Sequence, residues 1–131
     1  MVRPAVVTAM QQEEFLDRVR SKSGVTDRAD ATSLVEATLA TLGERIGGDE
    51  ARQLAAQLPG ELKESVWEGP AKRFGVDEFR TRVRERSGLG DRVGDDELRV
   101  VFEVLSAAVS GGELADVRGR LPDDYAQYFP E

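Results

Sequence analysis

The side chains able to do chemistry in this sequence are carboxylates and guanidinium groups. Among 131 residues there are 25 Asp and Glu and 18 Lys and Arg, with no histidine and no cysteine. Lacking histidine, the chain has neither the commonest general base and metal ligand nor the usual side chain that titrates near neutrality. Lacking cysteine, it has no disulfide and no thiolate. What remains is chemistry between carboxylates, arginines and whatever they bind.

The acids group at Asp95-Asp96-Glu97 and at Asp123-Asp124. A calcium loop requires oxygen ligands at alternate positions, a central glycine and a distal glutamate. The stretch Asp91-Arg92-Val93-Gly94-Asp95-Asp96-Glu97 lacks that register, so these acids are expected to cap and charge helix starts, with no metal held. Arg80, Arg82, Arg84 and Arg86 form an alternating basic run. Successive members of such a run lie about 200° apart on a helix, so the four divide between two sides and predict a solvated face. Gly47-Gly48 and Gly111-Gly112 follow no strand and precede no Lys-Ser or Lys-Thr pair, so they read as helix terminators rather than phosphate loops.

The elements that position these groups come twice. Residues 15–28, FLDRVRSKSGVTDR, match residues 79–92, FRTRVRERSGLGDR, at an offset of 64. Residues 46–62 match residues 109–125 at an offset of 63. Apolar residues recur at helical spacing throughout. Val35, Leu39, Leu42 and Ile46 make one stripe, and Leu98, Phe102, Leu105 and Val109 make its counterpart. Each first helix carries a Phe/Val face, Phe15 with Val19 and Phe79 with Val83, and stops near Gly24 or Gly88. Thr8 with Gln11 suggests a capping box for the first helix, and Asp49 suggests a cap for the third, a position Gly112 fills in the second copy. Leu58-Pro59 and Leu121-Pro122 end the third helices and predict a short fourth one after each proline. No period-two alternation marks a strand.

These signals predict an all-α fold: two tandem helical repeats of three to four helices each, packed into one compact bundle. The expected organisation is a lead-in over 1–10, repeat 1 over 11–66, a linker over 67–75 and repeat 2 over 76–131. The recurring pairs Arg18/Arg82, Arg20/Arg84 and Asp27-Arg28/Asp91-Arg92 are expected to support structure, each Arg packing its stem and pairing with an Asp at the following turn.

The net charge is −7 and evenly spread. Residues 11–66 hold 11 acids and 7 bases, and residues 74–129 hold 12 acids and 8 bases. No basic lobe exists, which argues against a nucleic-acid partner. No apolar run is long enough to span a membrane. The start, MVRPAVVTAM, is too short in its apolar part for a signal peptide, so a cytoplasmic location is expected.

The motifs Phe15-Leu16-Asp17-Arg18-Val19, Leu39 to Leu42, Glu50 to Leu54 and Gln57-Leu58-Pro59-Gly60-Glu61-Leu62, with Phe79 to Val83 and Arg120-Leu121-Pro122 in the second copy, resemble a bacterial family known as domain of unknown function 2267. The resemblance covers nearly all of residues 11–129. It implies a small all-helical fold with an internal duplication. It supplies no activity and no catalytic or binding residues.

With no nucleophile beside a base and no cofactor fingerprint, the residues favour a non-enzymatic module that binds another protein or a second copy of itself as a homodimer. Neither a cofactor nor a metal is expected. The expected contact residues are the aromatics near the junction and the chain end: Trp67, Phe74, Tyr125, Tyr128 and Phe129. The alternative is a ligand pocket or enzyme built from carboxylates and Arg, and a buried acid with a raised pKa is the observation that favours it.

Overall fold

A computed structural model describes residues 10–130. Six α-helices run in the order α1 (Gln12–Lys22), α2 (Arg28–Ile46), α3 (Gly48–Gln57), α4 (Val76–Ser87), α5 (Asp95–Ala108) and α6 (Gly111–Gly119). Short 3-10 turns follow α3 (Gly60–Ser65), α4 (Gly90–Arg92) and α6 (Asp123–Tyr128). Among the described residues there is no strand, and no helix is long and apolar enough to cross a membrane. The predicted fourth helices are these 3-10 turns after Pro59 and Pro122. Thr8 lies outside the described residues.

Both stripes are core. Val35, Leu39, Leu42 and Ile46 are 0–3% exposed, and Leu98, Phe102, Leu105 and Val109 are 0–9% exposed. α2 is buried almost all round, so even Thr38 and Thr41 lie inside. Their hydroxyls donate back to the carbonyls of Leu34 (2.7 Å) and Ala37 (2.8 Å), which leaves no buried donor unpaired there. The helices cross over between halves: α2 packs most extensively on α4, and α1 packs on α5 as closely as on α2. Lys22 of α1 reaches Glu103 of α5 at 3.1 Å on the rim of that contact.

The stretch predicted as a linker is docked. Its backbone lies along the last turns of α2: Lys72 N donates to Glu44 O (2.8 Å), and Gly48 N donates to Gly69 O (2.8 Å). Contact this close requires glycine underneath. A Cβ at Gly43 would stand 2.7 Å from Trp67 N, and one at Gly47 would strike the Ala71 backbone. Gly47 also holds φ +66°, a conformation that side chains resist, and this turns the chain from α2 into α3 with a single-residue break.

Two expectations about caps are reversed. Asp49 does not cap α3; it sits inside the first turn and pairs with Arg52, because α3 begins two residues earlier with Gly47 at its N-cap. The second copy has the stronger start, since the Ser110 hydroxyl accepts from Glu113 N at 3.0 Å.

Candidate functional site

The arginine run on α4 is not a solvated face. Glu44 of α2 is 4% exposed, and Arg82 and Arg86 close on it: Arg82 Nη1 lies 2.8 Å from Oε1, and Arg86 Nη2 donates to Oε2 at 3.0 Å. Lys72 adds a third cation at 3.3 Å, and Arg86 also donates to the Thr41 hydroxyl at 3.1 Å. The Arg86 hydrogen bond, helped by Arg82 and Lys72 against the cost of burial, pulls the Glu44 carboxyl down to about 2. Arg84 instead donates through Nε to Val93 O (2.7 Å), and Arg80 bridges Asp77 (2.8 Å) and Asp95 (2.7 Å). Alternate residues divide between two sides as predicted, but α2 and the α4–α5 turn occupy those sides.

The recurring pairs do structural work with other partners than the Asp at the next turn. Arg20 donates to Thr26 O at 2.8 Å, as Arg84 does to Val93 O, so each holds the turn after its own helix. Arg18 pairs with Glu14, Arg28 with Glu13, and Arg92 with Asp30 at 2.9 Å. Asp27 caps α2 by accepting from Asp30 N (3.0 Å). Of the grouped acids, Asp95 accepts from the Tyr128 hydroxyl (2.7 Å), Glu97 from Gly94 N (2.8 Å) and Asp124 from Val76 N (2.9 Å).

The aromatic residues predicted as contacts are mostly interior. Tyr125 and Tyr128 are 0% exposed and Phe129 is 5% exposed. They pack against Phe79 and Phe102, with Phe79 to Tyr125 at 5.5 Å and Phe102 to Phe129 at 5.2 Å between ring centroids, both edge-to-face. In this fold the second copy uses these three extra aromatics to fill the core behind α5 rather than placing them on the surface. Trp67 and Phe74 are half-buried on the docked strap, with Lys72 over the Trp67 ring at 5.0 Å and Arg82 over the Phe74 ring at 4.1 Å.

Two other clusters emerge where α2, α3, α6 and the strap meet. The first is a recess of about 310 Å³ lined by Arg45, Arg73 and Arg120 with Ile46 and Ala71. Arg45 is held firmly, because its Nε donates to Phe74 O (2.8 Å) and its guanidinium lies 5.8 Å from the centre of the Tyr125 ring. The Tyr125 hydroxyl donates to the same Phe74 carbonyl at 2.9 Å. Among the described residues no carboxylate lies within 4.0 Å of Arg45 or Arg73. Arg120 has only Glu50, at 3.8 Å.

The second cluster is a facing pair of acids, Glu50 on α3 and Glu113 on α6, 4% and 5% exposed. Each is the third residue of its helix, where the positive end of the helix favours an acid. α3 and α6 are tied by Gln57, whose Oε1 accepts from Ser110 N at 2.7 Å and whose Nε2 donates to Ser110 Oγ at 3.3 Å. Burial, then the neighbouring Glu50, pushes the Glu113 carboxyl up to about 7. One turn along α6, the exposed Asp116 brings a third carboxylate, so that one oxygen of each acid lies within 4.8 Å of the others.

Neither cluster was singled out from the sequence. For the acids a signal existed: in the segment matched at offset 63, Glu50 and Glu113 are the only identical charged pair. The arginines carry no such mark, since Arg45, Arg73 and Arg120 are distant in sequence and unmatched between copies. A family model described as an uncharacterized conserved protein, DUF2267, matches residues 12–128, from the first turn of α1 to the last 3-10 turn. No curated protein matches the chain.

Proposed function

The chain belongs to the DUF2267 family of uncharacterized conserved proteins, and from that premise we propose that it is a non-enzymatic binding protein whose ligand is a small, multiply charged anion. The observation that carries this reading is the recess of Arg45, Arg73 and Arg120. Three guanidinium groups converge there on a chain of net charge −7, and two of them lack a carboxylate partner among the described residues. Like charges gathered without counter-charge repel, and an anion in the recess removes that cost while each planar fork supplies paired donors. A volume of about 310 Å³ suits a diphosphate or a tricarboxylate. Arg45 is preorganised by Phe74 O and the Tyr125 ring, so little side-chain freedom is lost on binding. The burial of Tyr125, Tyr128 and Phe129 weighs against a partner-protein reading built on them.

The test is calorimetric titration with inorganic pyrophosphate and with citrate at low ionic strength, where screening is weak. One site per chain is expected. A hydrogen bond to a charged group is worth ~1.5–3 kcal/mol, so Arg73→Gln, at an exposed position, should weaken binding by roughly tenfold or more. Binding that survives the Arg45→Gln/Arg73→Gln double variant, or none at millimolar anion, overturns the reading.

A further inference from the structure

Acids on a surface ask for no ligand, because water solvates each of them. Glu50 and Glu113 are in a different position. Oε2 of each is buried and accepts no hydrogen bond among the described residues. A buried carboxylate oxygen without a donor carries a desolvation cost that ordinary folded structures do not leave uncompensated. The two acids also face one another, so their charges add to that cost. The nearest cation, Arg120, is 58% exposed and stands 3.8 Å from Glu50 Oε1, on the other oxygen from the orphaned one.

We propose that Glu50, Glu113 and Asp116 bind a hard divalent cation, of the calcium, manganese or magnesium kind, between the first turns of α3 and α6. Three carboxylate oxygens, in a chain with no histidine or cysteine to offer a nitrogen or sulfur ligand, are the donor set such ions prefer. The spacing agrees. Two ligands of one ion stand no farther apart than twice the bond length, and the three oxygens lie within 4.8 Å of one another. That upper bound admits a metal–oxygen bond of ~2.4 Å or less, the range of these ions. A proton shared between Glu50 and Glu113 would satisfy those two alone; it leaves the third carboxylate, Asp116, drawn into the same space without a role. Asp116 is exposed, which gives the ion an entry path and leaves its remaining positions to water. The matched positions of Glu50 and Glu113 make the site a joint product of both sequence copies, and it touches the anion recess only through the Arg120–Glu50 contact.

The experiment uses the full chain, stripped of metal with a chelator and dialysed, titrated at neutral pH with Mn²⁺, Ca²⁺ and Mg²⁺ separately. Calorimetry gives stoichiometry, and the fading of the free Mn²⁺ resonance signal gives an independent count. One ion per chain is expected, with affinity lowered at least ~10-fold by Glu50→Gln or Glu113→Gln and less by Asp116→Asn. Glu68→Gln, an exposed acid remote from the cluster in sequence, should leave binding unchanged. Glutamine is isosteric and supplies a donor, so the variants are expected to fold. Should one fail to, Mn²⁺ broadening of amide signals in the unaltered protein reads the same site. Broadening centred on Glu50 and Glu113 supports the proposal, and broadening centred elsewhere overturns it. Saturation unaffected by both Gln substitutions, or no saturable binding of any of the three ions at millimolar concentration, also overturns it.

Discussion

Replacing Glu44 with Gln should cost about 3 kcal/mol at neutral pH and almost nothing near pH 2. The carboxyl sits at about 2 in the folded protein against an ordinary 4.5. Each unit of difference corresponds to about 1.36 kcal/mol of preference for the ionised form, which gives ~3 kcal/mol. Folded-state depression of an acid means that the stabilisation is complete above the unfolded value and is lost as pH falls. The window therefore runs from about 4.5 down to about 2. The cause is local: two guanidinium groups and an ammonium contact one buried carboxylate, and Glu44→Gln leaves Arg82 and Arg86 facing a neutral amide. The assay is urea unfolding at a series of pH values through that window, for both proteins. Asp95, lowered chiefly by its hydrogen bond from Tyr128, is common to both chains and cancels in the difference. The two stability curves should be about 3 kcal/mol apart at pH 7 and converge toward pH 2. Parallel curves, separated equally at both ends, would refute the reasoning and reduce Glu44 to a packing element.

Three further outcomes follow from the packing. Gly43→Ala raises helix propensity by ~1 kcal/mol yet should lower stability by ~1–3 kcal/mol, because the new methyl meets the Trp67 backbone; a higher melting temperature would show that the strap yields freely. Leu42→Ala and Leu105→Ala, at positions 0% and 1% exposed, should each cost ~2–5 kcal/mol in chemical denaturation, and an unchanged midpoint would place the stripe on the wrong face. Glu113→Gln should stabilise the metal-free protein above neutral pH, since it removes one of two facing buried charges; a lower melting temperature at pH 8 would mean that the pair is already compensated.

Sequence periodicity carried the core because burial there follows from spacing alone: Leu39, Leu42, Leu98 and Leu105 all lie inside. The breaks at Gly47, Pro59 and Pro122 were legible for the same reason, since they act through the local backbone, whereas Gly111-Gly112, read as a terminator, opens α6 after α5 has already ended at Ala108. Caps were less so. Whether Asp49 or Gly47 begins α3 depends on a turn only one residue long, and the Ser110 cap became visible only once α6 was seen to start at Gly111. The strap could not be read, because it is fastened by backbone groups of Glu44 and Gly48 that every sequence possesses. The arginine run misled because period two says which sides are occupied, not whether water or α2 occupies them. Aromatics near a chain end suit an anchor and a core equally well by type, and only the position of α5 separates Tyr128 in the core from a Tyr on the surface. The acidic pair shows the reverse case, where the repeat marked Glu50 and Glu113 but the facing of α3 and α6 gave the marking its meaning.

The crossed arrangement of helices sets an order for biogenesis. α2, the most buried helix, finds its main neighbour in α4, which the ribosome makes some thirty residues later, and α1 must wait longer still for α5. Through that interval Leu34, Val35 and Leu42 have no complete enclosure, and Glu44 has not met the two arginines that hold its charge. Synthesis of the first half thus yields an apolar, acid-bearing intermediate that closes only when the second half emerges. Until α4 is available, the apolar faces of α2 that it covers in the finished fold have no other helix to replace it.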